Sequence, residues 1–107
     1  MIDATITLTV PADKQKEVLQ TFKAILAPIR REHGCIACNC YEDVETDNII
    51  YFREEWKTQN DLDTHLRSVH FGIMIGAMKL LNKEPEIRFN TIASTMGAEA
   101  IKTARRA

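Results

Sequence analysis

The side chains of this 107-residue chain whose types and spacing suit proton chemistry are Glu54, His65 and His70. Glu54 lies in IIYFREEW (49–56), on the same side of an alternating run as Ile50, Phe52 and Trp56. A carboxylate on an apolar face needs a partner, because an unpaired buried charge is costly or shifts its pKa. Two roles suit it: a proton acceptor or orienting group, or a structural carboxylate paired with a helix cap or with Arg88. His65 falls on the inner stripe of a helix, between Leu62 and Leu66. An imidazole with its ordinary pKa of about 6.5 can take a phenolic proton at neutral pH. The alternative is a core histidine bonded to Glu54 or to a backbone carbonyl. Trp56 and Phe71 suit a pocket wall, and Met74 and Met78 either shape a flexible apolar cavity or fill the core. His70 sits at a helix junction, where it either caps the preceding helix or faces a ligand.

Cys35, Cys38 and Cys40 lie within six residues. An odd count in a chain without a secretion signal does not read as a disulfide framework. Cys38 and Cys40 share a strand face roughly 6.5–7 Å apart, at the edge of disulfide reach. With His33 nearby they still lack a second Cys/His pair at zinc-ligand spacing. The reading is packing, with no metal and no cofactor.

The elements that must position these groups follow from periodicity. Ile2, Ala4, Ile6, Leu8 and Val10 alternate with polar residues, predicting a strand that Pro11 stops. From Asp13, Val18, Phe22, Ile25 and Ile29 form one stripe of a long helix, with Pro28 set to kink its end and Gly34 placed as a cap. A strand over 35–44, a turn over 45–48 and a strand over 49–56 form a hairpin. Thr58 with Asp61 suits a helix N-terminus, whose inner stripe is Leu62, His65, Leu66 and Val69. A further helix runs from about Phe71 to Leu81, where the Gly72-x-x-x-Gly76 spacing suits close approach to the sheet or a ligand. Strand 86–94 is the fourth. The order is a split β-α-β-β-α-β over 1–96, followed by a basic helical tail over 97–107.

A formal net charge of −1 gives no basic excess for nucleic acid. No apolar run spans a bilayer, and the opening residues lack a signal-peptide pattern, so a cytoplasmic location with no membrane partner is expected. Ile49, Ile50, Tyr51 and Phe52 put apolar side chains on both faces of one strand. In the second strand, Cys35, Ala37 and Tyr41 oppose Ile36, Cys38 and Cys40. Something must cover the second sheet face, and a second copy in a two-fold homodimer is the simplest cover.

From Glu32 to Leu81 the chain resembles the antibiotic biosynthesis monooxygenase family. The resemblance rests on Glu32-x-Gly34-Cys35, Tyr41-Glu42-Asp43, Glu54-x-Trp56, Leu62-x-x-His65-Leu66 and Ser68-x-His70-Phe71. It implies an α+β, ferredoxin-like, four-stranded antiparallel sheet with helices on one face, assembled as a dimeric α+β barrel. It also implies a pocket between sheet and helices. Several such proteins are cofactor-independent monooxygenases of quinols and anthrone-like phenols, others degrade haem, and many have no known activity. The resemblance points to His65 and Glu54 as catalytic and to Trp56, Phe71, His70 and Met74 as contacts for a small hydrophobic aromatic ligand. Haem fits less well, since Met74 and Ile75 stand near where haem-degrading members carry a ligand histidine. A non-catalytic small-molecule binding or sensing module is the rival reading.

Overall fold

In a computed structural model describing residues 1–106, the first alternating run forms β1 (Ile2–Thr9). A 3-10 turn at Ala12–Lys14 leads into helix α1 (Gln15–Arg30), and β2 (Cys35–Glu42) and β3 (Ile49–Trp56) follow as a hairpin. Two helices, α2 (Gln59–Leu66) and α3 (Val69–Met78), precede β4 (Glu86–Thr91). A last helix, α4 (Glu99–Arg106), closes the described chain. The sheet is antiparallel with order β2-β3-β1-β4, so the first strand lies between the third and the fourth. This is the α+β ferredoxin-like fold, with the expected helical region divided into two helices.

The core lies between α1 and the inner sheet face. Val18, Phe22, Ile25 and Ile29 are all buried there, with Ile6, Leu8, Ile50 and Phe52 opposite. Phe22 meets Phe52 edge-on, with ring centroids 5.3 Å apart. Each fully buried side chain of this size contributes roughly 1.5–3 kcal/mol of transfer free energy. Gly34 turns the chain from α1 into β2 at φ +81°, and its carbonyl accepts from the Lys57 N–H. A Cβ at Gly34 would lie 2.1 Å from Asp61 Oδ2, so only glycine fits. The Thr58 hydroxyl accepts from the Asp61 N–H, capping α2, while Ser68 caps α3 through the Phe71 N–H.

Several expectations are corrected. A β-bulge at Cys35–Ala37 brings Cys35 opposite Trp56, on the helix side with Cys38 and Cys40, and leaves Ile36 exposed. Strict alternation had put Cys35 on the other face. The helix α3 starts at Val69 because Ser68 supplies its cap, so Val69 is 77% exposed and leaves the inner stripe. Cβ atoms at Gly72 or Gly76 would meet nothing within 4 Å, so these glycines mediate no close approach. The second and fourth strands end earlier than expected, at Glu42 and Thr91. Position 107 of the tail lies outside the described residues.

The outer sheet face carries the polar side of β1 beside apolar residues of β2 and β3. Asp3, Thr5, Thr7 and Thr9 of β1 face it beside Arg53 and Tyr51 of β3, and Arg53 pairs with Asp3. Of the apolar residues there, Ile49 and Tyr51 are half-buried. Tyr41, opposite Tyr51, is exposed, and further exposed apolar side chains lie on Ile87 and Phe89 of β4 and on Met96 and Ile101 of the tail. The α4 helix buries none of its residues.

Candidate functional site

Glu54 and Trp56 point from β3 toward α2, because residues two apart on a strand share a face. Leu62 and His65, three apart on α2, share the helix face that meets them. His65 is entirely without exposed surface, and Glu54 is only 2% exposed. His65 Nε2 lies 2.8 Å from Glu54 Oε2, and the indole N–H of Trp56 donates to Glu54 Oε1 at 3.1 Å. The imidazole–Glu54 contact is bent outside good hydrogen-bonding angles, so charge attraction dominates it. Both alternatives for Glu54, a helix cap and Arg88, are therefore wrong: its partners are His65 and Trp56. Arg88 reaches Glu86 on the exposed face instead.

The second imidazole nitrogen has a partner the sequence reading did not assign. His65 Nδ1 lies 3.1 and 3.2 Å from the two carboxylate oxygens of Glu32. Glu32 sits just beyond the end of α1, held by its N–H to the Ile29 carbonyl. A carboxylate there faces the negative end of the helix dipole, an unfavourable position that itself signals a cationic partner. The third histidine joins at the same residue, with His70 Nδ1 3.3 Å from Glu32 Oε2. Thus His70 does not cap α2, whose end is closed by the Arg67 and Ser68 N–H groups.

Both ring nitrogens of His65 face carboxylates, an arrangement that only the doubly protonated ring satisfies without repulsion. Burial pulls the pKa of His65 down, but the contacts with Glu54 and then Glu32 overcome it, leaving the value above the ordinary 6.5. The Trp56 ring stacks on the imidazole at a 4.5 Å centroid distance and 25°, a favourable seat for a cation. Phe71 closes the other side edge-on at 5.4 Å.

Cys35 and Cys38 border the same cluster from β2. Burial and the Glu54 charge push the Cys35 thiol up to about 11, and the Cys38 thiol further in the same direction. These thiols hold their protons and are poor nucleophiles at neutral pH. The three cysteines are unpaired, and no group of three or more His, Cys, Asp or Glu among the described residues is placed to hold a metal ion.

The structure therefore brings Glu54, His65, Trp56, Phe71 and His70 together. Met74, one turn beyond Phe71, is fully buried in the core. Open space lies elsewhere. A depression of about 500 Å³, lined by Ile75, Met78, Leu81, Pro85 and Ile87 and by the polar Lys79, Asn82, Lys83 and Glu84, opens at the far end of α3. Phe71 and Met78 are seven residues apart, about 10 Å along the helix.

Comparison with known proteins gives a consistent result. A family model described as antibiotic biosynthesis monooxygenase matches residues 1–75. The uncharacterized protein sll1783 of Synechocystis is 34% identical over 89 residues, 82% of this chain. This chain spans 60% of that relative's length. A conserved protein from Methanosarcina mazei is 32% identical and superposes with a TM-score of 0.78, covering 83% of this chain and 89% of that one. A Deinococcus radiodurans structure of the antibiotic biosynthesis monooxygenase description reaches a TM-score of 0.84 at 23% identity, covering 91% and 97%. At that identity the likeness concerns the fold alone.

Proposed function

The chain belongs to the antibiotic biosynthesis monooxygenase family, and from that membership we propose a monooxygenase that works without a resident cofactor on a small aromatic, quinol-type phenol. The observation that carries this reading is the buried His65–Glu54 pair walled by Trp56 and Phe71. In the proposed reaction the phenol loses a proton to the Glu54 carboxylate of this pair, beside the protonated His65. The resulting carbanion passes an electron to dioxygen and the two combine as a peroxide. The pair returns its proton to the peroxide, and loss of water then leaves one oxygen atom in the product as a carbonyl and the other in the water. The protein supplies the base, the ring contacts and exclusion of solvent. Because His65 has no exposed surface, substrate reaches it only when α2 and α3 part. The extended backbone of Ser68 between them is the natural joint.

An oxygen electrode with a panel of hydroquinones and anthrone-like phenols, free of flavin, metal and nicotinamide, tests the reading. Uptake that falls by about 10²-fold in His65→Ala supports a proton-transfer role for that residue. A rate unchanged in the His65→Ala/Glu54→Gln double variant removes both from the mechanism.

A second reading has its own observation. The depression at Ile75, Met78 and Ile87 has the size of a small-molecule site and lies apart from the buried acid–base pair. A non-catalytic binding or sensing module would seat its ligand there, and binding that survives His65→Ala favours it.

We also propose that the protein is a cytoplasmic homodimer. The unpaired thiols suit a reducing compartment. The exposed Ile87, Phe89, Met96 and Ile101 supply apolar surface for a second copy. Light scattering at micromolar concentration gives twice the mass of one chain, and the mass of one chain overturns the dimer. No helix of the described residues is long and apolar enough to cross a membrane.

A further inference from the structure

We propose that Glu32 and His70 form a proton path joining the sealed His65–Glu54 pair to solvent, an inference that rests on the acid–base reading of that pair. An acid–base group reaches its working protonation state only by exchanging protons with water. His65 and Glu54 are walled in, so direct exchange would require the site to open.

The geometry offers another route. From inside outward, carboxylate and imidazole alternate. Glu54 Oε2 is 2.8 Å from His65 Nε2, His65 Nδ1 is 3.1 Å from Glu32 Oε1, and Glu32 Oε2 is 3.3 Å from His70 Nδ1. Side-chain exposure rises along the same series from 2% and 0% through 19% to 34%. His65 presents one protonated nitrogen to each side of the chain, so loss of its Nδ1 proton outward leaves a neutral ring whose Nε2–H still faces Glu54, and a proton returning along the path restores the cation. The Glu32 carboxylate accepts the outgoing proton and hands it to His70 Nδ1. The Nε2 proton of His70 leaves to water. The relay returns to its starting state when His70 turns over or exchanges its tautomer, and no bond other than O–H and N–H changes.

Other titratable groups near the pair do not offer an equivalent route. Cys38 on β2 is buried, and Cys35 faces Glu54 with a firmly held thiol proton. The His33–Asp61 pair at the start of α2 is exposed, but its 2.8 Å contact is made within itself. Glu32 is positioned for the relay by the Ile29 carbonyl on one side and by the Cys35 N–H donating to its own carbonyl at 3.2 Å on the other. The two outer members of the path, Glu32 and His70, are thus built into the fold, at the end of α1 and the first turn of α3.

The test needs no substrate. In the full ¹⁵N-labelled chain, the rate at which the His65 ring proton exchanges with water is measured by saturation transfer beside the amide exchange of α2. In His70→Gln the ring exchange slows by about tenfold or more while α2 amides are unchanged, and added imidazole restores it. Glu32→Gln slows it likewise and lowers the pKa of His65. His33→Gln leaves it alone. Ring exchange in His70→Gln equal to that of the unmodified chain, or tracking the α2 amides throughout, overturns the path in favour of opening. A silent quinol panel with slowed ring exchange would instead remove the proposed reaction and leave the path standing.

Discussion

The two ends of α3 divide what an active site needs. At its start, beside Phe71, lie two carboxylates and two imidazoles with almost no room between them. At its end, beside Met78, lies an open depression of about 500 Å³ whose mixed wall of apolar side chains, Lys79, Lys83 and Glu84 carries no histidine or cysteine. The difference teaches that chemistry and space are separate requirements, and that the buried cluster is held together by charges that stabilise the fold as well. A site of this kind can act on a ligand only by trading part of that stability for access.

The strongest way to break this contrast is to remove one charge from the buried end. Glu54→Leu leaves the His65 cation short of a partner and should cost about 3–5 kcal/mol, read from the denaturant midpoint. The double variant Glu54→Leu/His65→Leu should recover much of that loss, because the desolvated charges go together. Equal losses in the single and double variants would mean the pair is not coupled.

A smaller effect concerns the thiols on the same wall. With the Cys35 thiol moved from 9.0 to about 11, its alkylation at pH 8 should be about a hundredfold slower than that of an unperturbed thiol. Reaction at the ordinary rate would show that the buried end opens freely.

Next comes pH. The folded-state pKa of His65 is raised, so its stabilising contribution is complete below about pH 6.5 and is lost as pH rises through the folded value. Melting measured from pH 5 to 9 should therefore show stability falling above pH 6.5, by at most about 1.4 kcal/mol per pH unit, with that fall absent in His65→Gln.

The open end should respond least in stability. Ile87→Asp, at a side chain 41% exposed, should change folding by less than about 0.5 kcal/mol while weakening the uptake of an apolar fluorescent probe. A probe that binds unchanged is not using this depression.

Much of this molecule was legible before its structure. The alternation of β1 and the Val18-Phe22-Ile25-Ile29 stripe came through because one buried face imposes a period on the chain. Thr58 and Gly34 were legible because a cap and a left-handed turn each demand few residue types. The bulge at Cys35–Ala37 was not, since an inserted residue breaks the period that reveals faces. Nor was the role of Glu32: it lies in a link with no periodicity, and its partners are 33 and 38 residues away. Pair geometry at that separation is a property of packing.

The strand order has a consequence for how the protein is made. β1 is made before the other three strands of its sheet, yet it ends between β3 and β4, with Ile2 facing Trp56 on one side and Thr91 on the other. One edge waits for β3, which is complete at Trp56, and the other closes only when β4 has emerged. Such distant pairings make loop closure slow and leave a nascent sheet with a sticky edge. Its alternating threonines keep one face of that waiting strand hydrated, which gives the newborn chain protection against premature association that the finished fold no longer needs.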